Sequence, residues 1–188
     1  NIFLVGSLGA QNFMNSKKIT KKKLFNKYKI PLNRQILLVT FHPETRGKIK
    51  IKDQIKILIT SLFLIKNVFF IFTYNNMDTS GSYFIKIIKK FKKKYKNSLI
   101  IKSMGSDLYY NFIRNVDLVL GNSSSGIIEV PSAKTPTLDI GNKQSGRIKS
   151  SSIFTCELHK RKIVNFIELI LRKKKIFFKN IYYKKKPR

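Results

Sequence analysis

This sequence has few of the side chains that covalent or metal chemistry needs. Cys156 is the only cysteine, so no intrachain disulfide can form, and a reducing cytoplasm fits. The two histidines, His42 and His159, cannot build a Cys/His zinc site with a single cysteine. No metal site and no cofactor are expected. Long apolar runs are also missing: Ile55 to Tyr74, IKILITSLFLIKNVFFIFTY, is broken by Lys56 and Lys66. Neither half reaches the ~20 apolar residues of a membrane span. The opening NIFLVGSLGAQNF lacks a charged leader region, a cleavage site and an initiator Met, so it reads as the interior of a longer protein and not as a signal peptide.

Acidic residues are scarce too. Nine Asp and Glu stand against 39 Lys and Arg, a formal charge of +30, and such a balance ordinarily points to a polyanion or an acidic membrane. Here lysine greatly outnumbers arginine, and Ile, Asn, Phe and Tyr are abundant as well. Their codons are rich in A and T, so base bias explains the excess without selection for binding. Nucleic-acid sites favour arginine forks and clustered aromatics, and neither stands out. The expectation is no nucleic acid and no membrane.

With 43% hydrophobic and 12% aromatic residues in 188, there is material for one domain with a real core. Five short apolar runs predict strands: Ile36 to Phe41, Val68 to Thr73, Ser98 to Lys102, Asp117 to Leu120 and Thr137 to Ile140. Between them lie helical lengths at Ile51 to Ile65, Ser82 to Lys96, Asp107 to Arg114 (capped by Ser106 or Asp107) and Lys160 to Lys174, with a shorter helix inside residues 17 to 35. On the second of these, Phe84, Ile87, Ile88, Phe91 and Tyr95 share one face while lysines solvate the other. Alternating strand and helix predict an α/β fold, a Rossmann-like doubly wound parallel sheet with ligands at the carboxyl ends of the strands.

The residues at those ends are therefore the site candidates. After the first strand comes His42, able to donate to a phosphate or to take part in proton transfer. After the second come Asn75 to Ser82, including Asn76, which could simply cap a helix through Ser80 or Ser82. Ser103, Met104 and Gly105 follow the third. The fourth delivers GNSSSGIIE, where Ser123, Ser124, Ser125 and Gly126 would open a helix. Free amides and hydroxyls there would make a nest for a phosphate or diphosphate. Glu129, unusual beside Ile127, Ile128 and Val130, would need a partner such as a ribose diol. On residue types alone, a strand-to-helix turn with a capping serine and a dipole-favoured acid accounts for the same stretch. The fifth strand ends in GNKQSGR, whose Lys143 and Arg147 could complete a diphosphate site.

Taken together and in order, VGSLGAQNF, VTFHPET, NNMDTSG and SMGSDLYYNFIRNVDLVLGNSSSGIIEVPSAKTPTLDIGNKQSGR resemble the carboxyl-terminal half of UDP-N-acetylglucosamine 2-epimerases, in particular the hydrolysing branch. The resemblance runs from about residue 1 to about residue 155. It implies the second domain of the two-domain fold shared with B-type glycosyltransferases. It also implies the conversion of UDP-GlcNAc to N-acetylmannosamine and UDP, for synthesis of sialic-acid-type sugars. By it, His42 is the active-site histidine, Ser123 and Ser124 bind phosphate, Glu129 binds ribose, and the loops at Asn76 to Gly81 and Ser103 to Gly105 border the nucleotide. Lys143 stands where family members commonly carry Arg, keeping the charge but losing the bidentate fork. The carboxylates expected to move protons in this family belong to the amino-terminal domain, which these residues do not include.

The expected organisation is an entry segment and first helix at 1–35, a nucleotide-sugar-binding domain at 36–175 and a basic tail at 176–188. The expected partners are a UDP-sugar and the amino-terminal domain of the same protein, and a homo-oligomer is compatible with this. Alone, this piece should bind UDP weakly and turn nothing over. The rivals are a glycosyltransferase-type nucleotide-sugar domain and a basic nucleic-acid-binding module.

Overall fold

The expected βαβ alternation is realised as a single six-stranded sheet, all parallel, in the order β3-β2-β1-β4-β5-β6. A computed structural model describes residues 5–45, 48–74, 79–173 and 178–184. The strands are β1 (Gln35–Thr40), β2 (Val68–Thr73), β3 (Ser98–Ile101), β4 (Leu118–Gly121), β5 (Thr137–Ile140) and β6 (Ile153–Cys156). The longer helices are α1 (Leu8–Asn15), α2 (Lys21–Lys27), α3 (Ile51–Leu62), α4 (Thr79–Lys94), α5 (Gly105–Asn115) and α7 (Lys160–Arg172). A single turn, α6 (Ser125–Ile128), leads into a 3-10 turn at Val130–Ala133.

The sheet is buried on both faces, which is why its strands read as unbroken apolar runs. Alternate residues part to opposite sides. Leu37, Val39, Phe70, Phe72, Leu118 and Leu120 join α3, α4 and α7 in one core. Ile36, Leu38, Phe69, Ile71 and Val119 join α1, α2, α5 and Val130 in the other. On α4, Phe84, Ile88 and Phe91 are buried, with Ile87 and Tyr95 packed beside them as the helical spacing predicts. Lysines are exposed on α2, α3, α4 and α7, helices that cover both faces of the sheet. No described helix is long and apolar enough to cross a membrane.

Several expectations need correction. The sixth strand, β6, escapes prediction because Thr155 and Cys156 interrupt its apolar run after Ile153 and Phe154. Helix α1 buries only Ala10 and Phe13 and so shows no amphipathic period. Helix α5 starts at Gly105, with Met104 in the cap position and no side-chain cap, so neither Ser106 nor Asp107 serves as one. Helix α4 starts at Thr79, which places Ser80 and Ser82 inside it and not at its cap. The helix opened by the serines is one turn long, and Glu129 sits at its end where the 3-10 turn begins. A continuous helix through Glu129 is stopped by Pro131, which cannot supply an interior amide.

Residues 178–184 lie against the domain. Asn180 Nδ2 donates to the Ile128 carbonyl at 2.8 Å, and the Ser7 amide donates to the Tyr182 carbonyl at 2.8 Å.

Candidate functional site

The strand order reverses direction between β1 and β4, and a crevice opens where their carboxyl ends diverge. Both strands end in residues picked out from the sequence. The register pairs Thr40 with Gly121, so His42 and Ser123 leave the sheet side by side.

That closeness depends on Gly121. It sits at φ +146°, a conformation that L side chains rarely adopt, and a Cβ there would overlap the Thr40 carbonyl oxygen. The next residue, Asn122, is buried and uses its side chain as a clamp. Its Oδ1 accepts from the His42 amide at 2.7 Å and its Nδ2 donates to the His42 carbonyl at 2.8 Å. A second buried amide fixes the following loop: Gln54 Oε1 accepts from the Glu44 amide at 2.8 Å, and Gln54 Nε2 donates to the carbonyls of Glu44 and Ile49. Both clamp residues were missed in the sequence, since a lone Asn or Gln gives no local signal of what it will reach.

The Asn122 clamp carries a prediction. Asn122→Ala removes both clamp hydrogen bonds to the part-buried His42 backbone and should cost about 2–3 kcal/mol. A urea midpoint equal to the wild-type value would show that the clamp contributes nothing.

Ser123 and Ser124 form the approach to α6. Among the described residues their amides have no protein partner, while the amides of Gly126, Ile127 and Ile128 turn back to the carbonyls of Ser123 and Ser124. Ser124 is exposed, and its side chain makes no cap. Gly126 lies against the Thr137 methyl, and the Thr137 hydroxyl donates to the Gly126 carbonyl at 2.9 Å, so β5 holds the turn from below.

Beside this turn a cleft of about 270 Å³ runs along the ends of β1 to β4, lined among others by Thr40, Thr73, Ser103, Met104, Ser123 and Ser125. With Gly105 it thus gathers five of the sequence candidates. Glu129 is not on its wall. The acid lies behind, its Oε1 against Gly9 of α1 and its Oε2 buried without a hydrogen-bond partner among the described residues. Burial raises its carboxyl above the ordinary carboxylate range, and its charge is felt by Tyr109 and Tyr110.

Lys143 and Arg147 are exposed on the loop after β5, outside the cleft. The loop itself is tied down at two points. Buried Gln144 donates to the Asn122 carbonyl at 2.9 Å, and Lys149 pairs with buried Asp139 at 2.8 Å. Asn76 lies outside the described residues. Cys156 is buried, and burial pushes its thiol up to about 12, which leaves it no nucleophilic role at neutral pH. No cluster of three or more metal-ligating residues occurs among the described residues.

This arrangement offers hydroxyls and unpaired amides to an anion, with a polar cleft beside them. A family model described as UDP-N-acetylglucosamine 2-epimerase matches residues 1–186. The polysialic acid biosynthesis protein P7 of Escherichia coli is 38% identical over 170 residues, which cover 90% of this chain and 43% of that protein. A GDP/UDP-N,N'-diacetylbacillosamine 2-epimerase (hydrolyzing) from Campylobacter jejuni is 31% identical over 159 residues, covering 84% of this chain and 41% of that one. The chain therefore spans less than half the length of these curated relatives. Among solved structures, the Methanocaldococcus jannaschii UDP-GlcNAc 2-epimerase in complex with UDP-GlcNAc and UDP superposes with a TM-score of 0.67 at 19% identity. The superposition covers 97% of this chain and 51% of that one. At that identity the likeness shows the fold.

Proposed function

The chain belongs to the UDP-N-acetylglucosamine 2-epimerase family, and from that premise we propose that it is the nucleotide-gripping half of a hydrolysing UDP-sugar 2-epimerase. The observation that carries this reading is the pairing of a family match over residues 1–186 with a serine turn and a histidine set side by side at the switch point. In it the diphosphate lies on the Ser123 to Gly126 turn, where two amides are unpaired and two cations, Lys143 and Arg147, stand on the neighbouring loop. Glu129 takes the ribose hydroxyls, His42 faces the diphosphate, and the loops at Asn76 and at Ser103 and Met104 border the nucleotide. Residues 36–175 form the nucleotide-sugar-binding unit, 1–35 lead into it, and 176–188 leave it.

In the intact protein the reaction is elimination of UDP followed by addition of water to the sugar. The carboxylates that move those protons belong to the rest of the protein; among the described residues the acids supply no pair at the strand ends. The buried, free cysteine suits a reducing cytoplasm. Exposed lysines on helices of both sheet faces favour base bias over a nucleic-acid stripe.

Calorimetry tests the site directly. UDP should bind this chain, and Ser124→Ala should weaken it about tenfold through loss of a hydrogen bond to a charged group. Unchanged affinity in that variant would sink the diphosphate assignment. A second reading concerns the sugar: the Campylobacter jejuni relative is named for a diacetamido sugar nucleotide. Product analysis of the intact protein with UDP-GlcNAc and with the UDP-diacetamido sugar decides between them.

A further inference from the structure

Along the cleft runs a line of hydroxyl groups that the reading above does not use. At one end Thr73 Oγ1 lies 3.1 Å from Thr40 Oγ1 and 3.4 Å from the Val39 carbonyl oxygen. Tyr109 Oη lies 2.6 Å from Ser125 Oγ, which lies 3.1 Å from Ser123 Oγ. The line itself joins two elements, the first half of α5 through Tyr109 and the serine turn after β4 through Ser125 and Ser123. Tertiary structure alone brings them into file.

Each hydroxyl has one proton to give. A phenol is a stronger donor than an aliphatic hydroxyl, so the favoured order passes one proton per link: Tyr109 to Ser125, Ser125 to Ser123. Ser123 Oγ also accepts from the Ser125 amide at 3.4 Å. Both acceptor positions of that oxygen are then filled, and its own proton faces the cleft. Reversed, the line would present an oxygen lone pair to an incoming anion and repel it. Burial raises the Tyr109 phenol, so it stays neutral and keeps a proton to pass on.

We propose that Tyr109 is a positioning residue of the anion site: by donating to Ser125 it sets the direction of the line and turns the Ser123 hydroxyl proton toward a phosphoryl oxygen. This rests on the nucleotide-binding reading and adds a residue that touches no phosphate itself.

The test is an NMR titration of this chain and its variants with UDP and with uridine. Tyr109→Phe keeps the ring and removes only the hydroxyl. It should bind UDP about tenfold more weakly and uridine within about twofold of wild type. Adding Tyr109→Phe to Ser125→Ala should weaken UDP no further, because the line is already cut. Equal losses for UDP and uridine, additive losses in the double variant, or a Tyr109→Phe protein that has lost its amide spectrum would make Tyr109 a packing residue and overturn the proposal. Wild-type protein that does not bind UDP would overturn the nucleotide reading and the relay with it. Wild-type binding matched by Tyr109→Phe would overturn the relay alone.

Discussion

Gly121→Ala should leave the chain largely unfolded. The added methyl would fall on the Thr40 carbonyl oxygen, a backbone atom held in the β1–β4 pairing, so no side chain can move aside to relieve it. The residue would also be held at φ +146°, where an L side chain is strained. Overpacking against backbone together with this strain should cost about 4 kcal/mol or more, a large share of the about 5–15 kcal/mol that holds a domain of this kind together. Gly105→Ala serves as the control. That glycine also has positive φ, at +61°, but open space around its Cβ position, and should lose about 1 kcal/mol. Far-UV circular dichroism and urea midpoints separate the two. A Gly121→Ala protein as stable as Gly105→Ala would contradict the close approach of β1 and β4.

Glu129 should show opposite effects on stability and on binding. Burial raises its carboxyl in the folded chain, so between the ordinary carboxylate range and the raised value the folded state holds more protons than the unfolded state. Stability then falls as pH rises through that window and stays lower above it. Glu129→Gln removes the ionisation. At pH 7 it should melt about 2 °C above wild type, with the difference vanishing below the ordinary carboxylate range. UDP binding should go the other way. Loss of a carboxylate bonded to two ribose hydroxyls should weaken UDP about a hundredfold in Glu129→Ala, while a 2′,3′-dideoxy analogue should bind wild type and variant alike. A dideoxy analogue that still discriminates between them would remove the ribose from Glu129.

How much of this was legible in the sequence follows from where each signal is stored. Central strands announce themselves because both faces are buried: Val68–Thr73 and Thr137–Ile140 have the bounds that their apolar runs predict. Strand β6 and helix α1 did not, because a two-residue apolar run and a helix with two buried residues leave no period to read. In the site, position at a strand end singled out His42, Ser103 and Ser123. What could not be read was how side chains converge. Asn122 is one letter inside GNSSSGIIE, and only the β1–β4 register reveals that its amide grips the backbone eighty residues earlier in the chain. Tyr109 is an ordinary helix residue until α5 brings its hydroxyl against the serine turn. The Asn122 clamp and the Tyr109–Ser125 link share one property: each joins different elements of the fold, 80 and 16 positions apart.

The pairing of β1 with β4 has a kinetic side as well. Strands β1, β2 and β3 follow one another with single crossovers, but joining β1 to β4 closes a loop of about eighty residues, as the Ile36 to Asp117 hydrogen bond across 81 positions records. Loop closure of that length is an entropic toll met before the contacts return anything, so this joint belongs among the slow steps of folding. The cleft lies directly on it. A nucleotide that touches Ser123 on one side and the residues after β1 on the other would act as a bolt through the joint. By mass action it would slow the parting of the two half-sheets more than the fraying of either one.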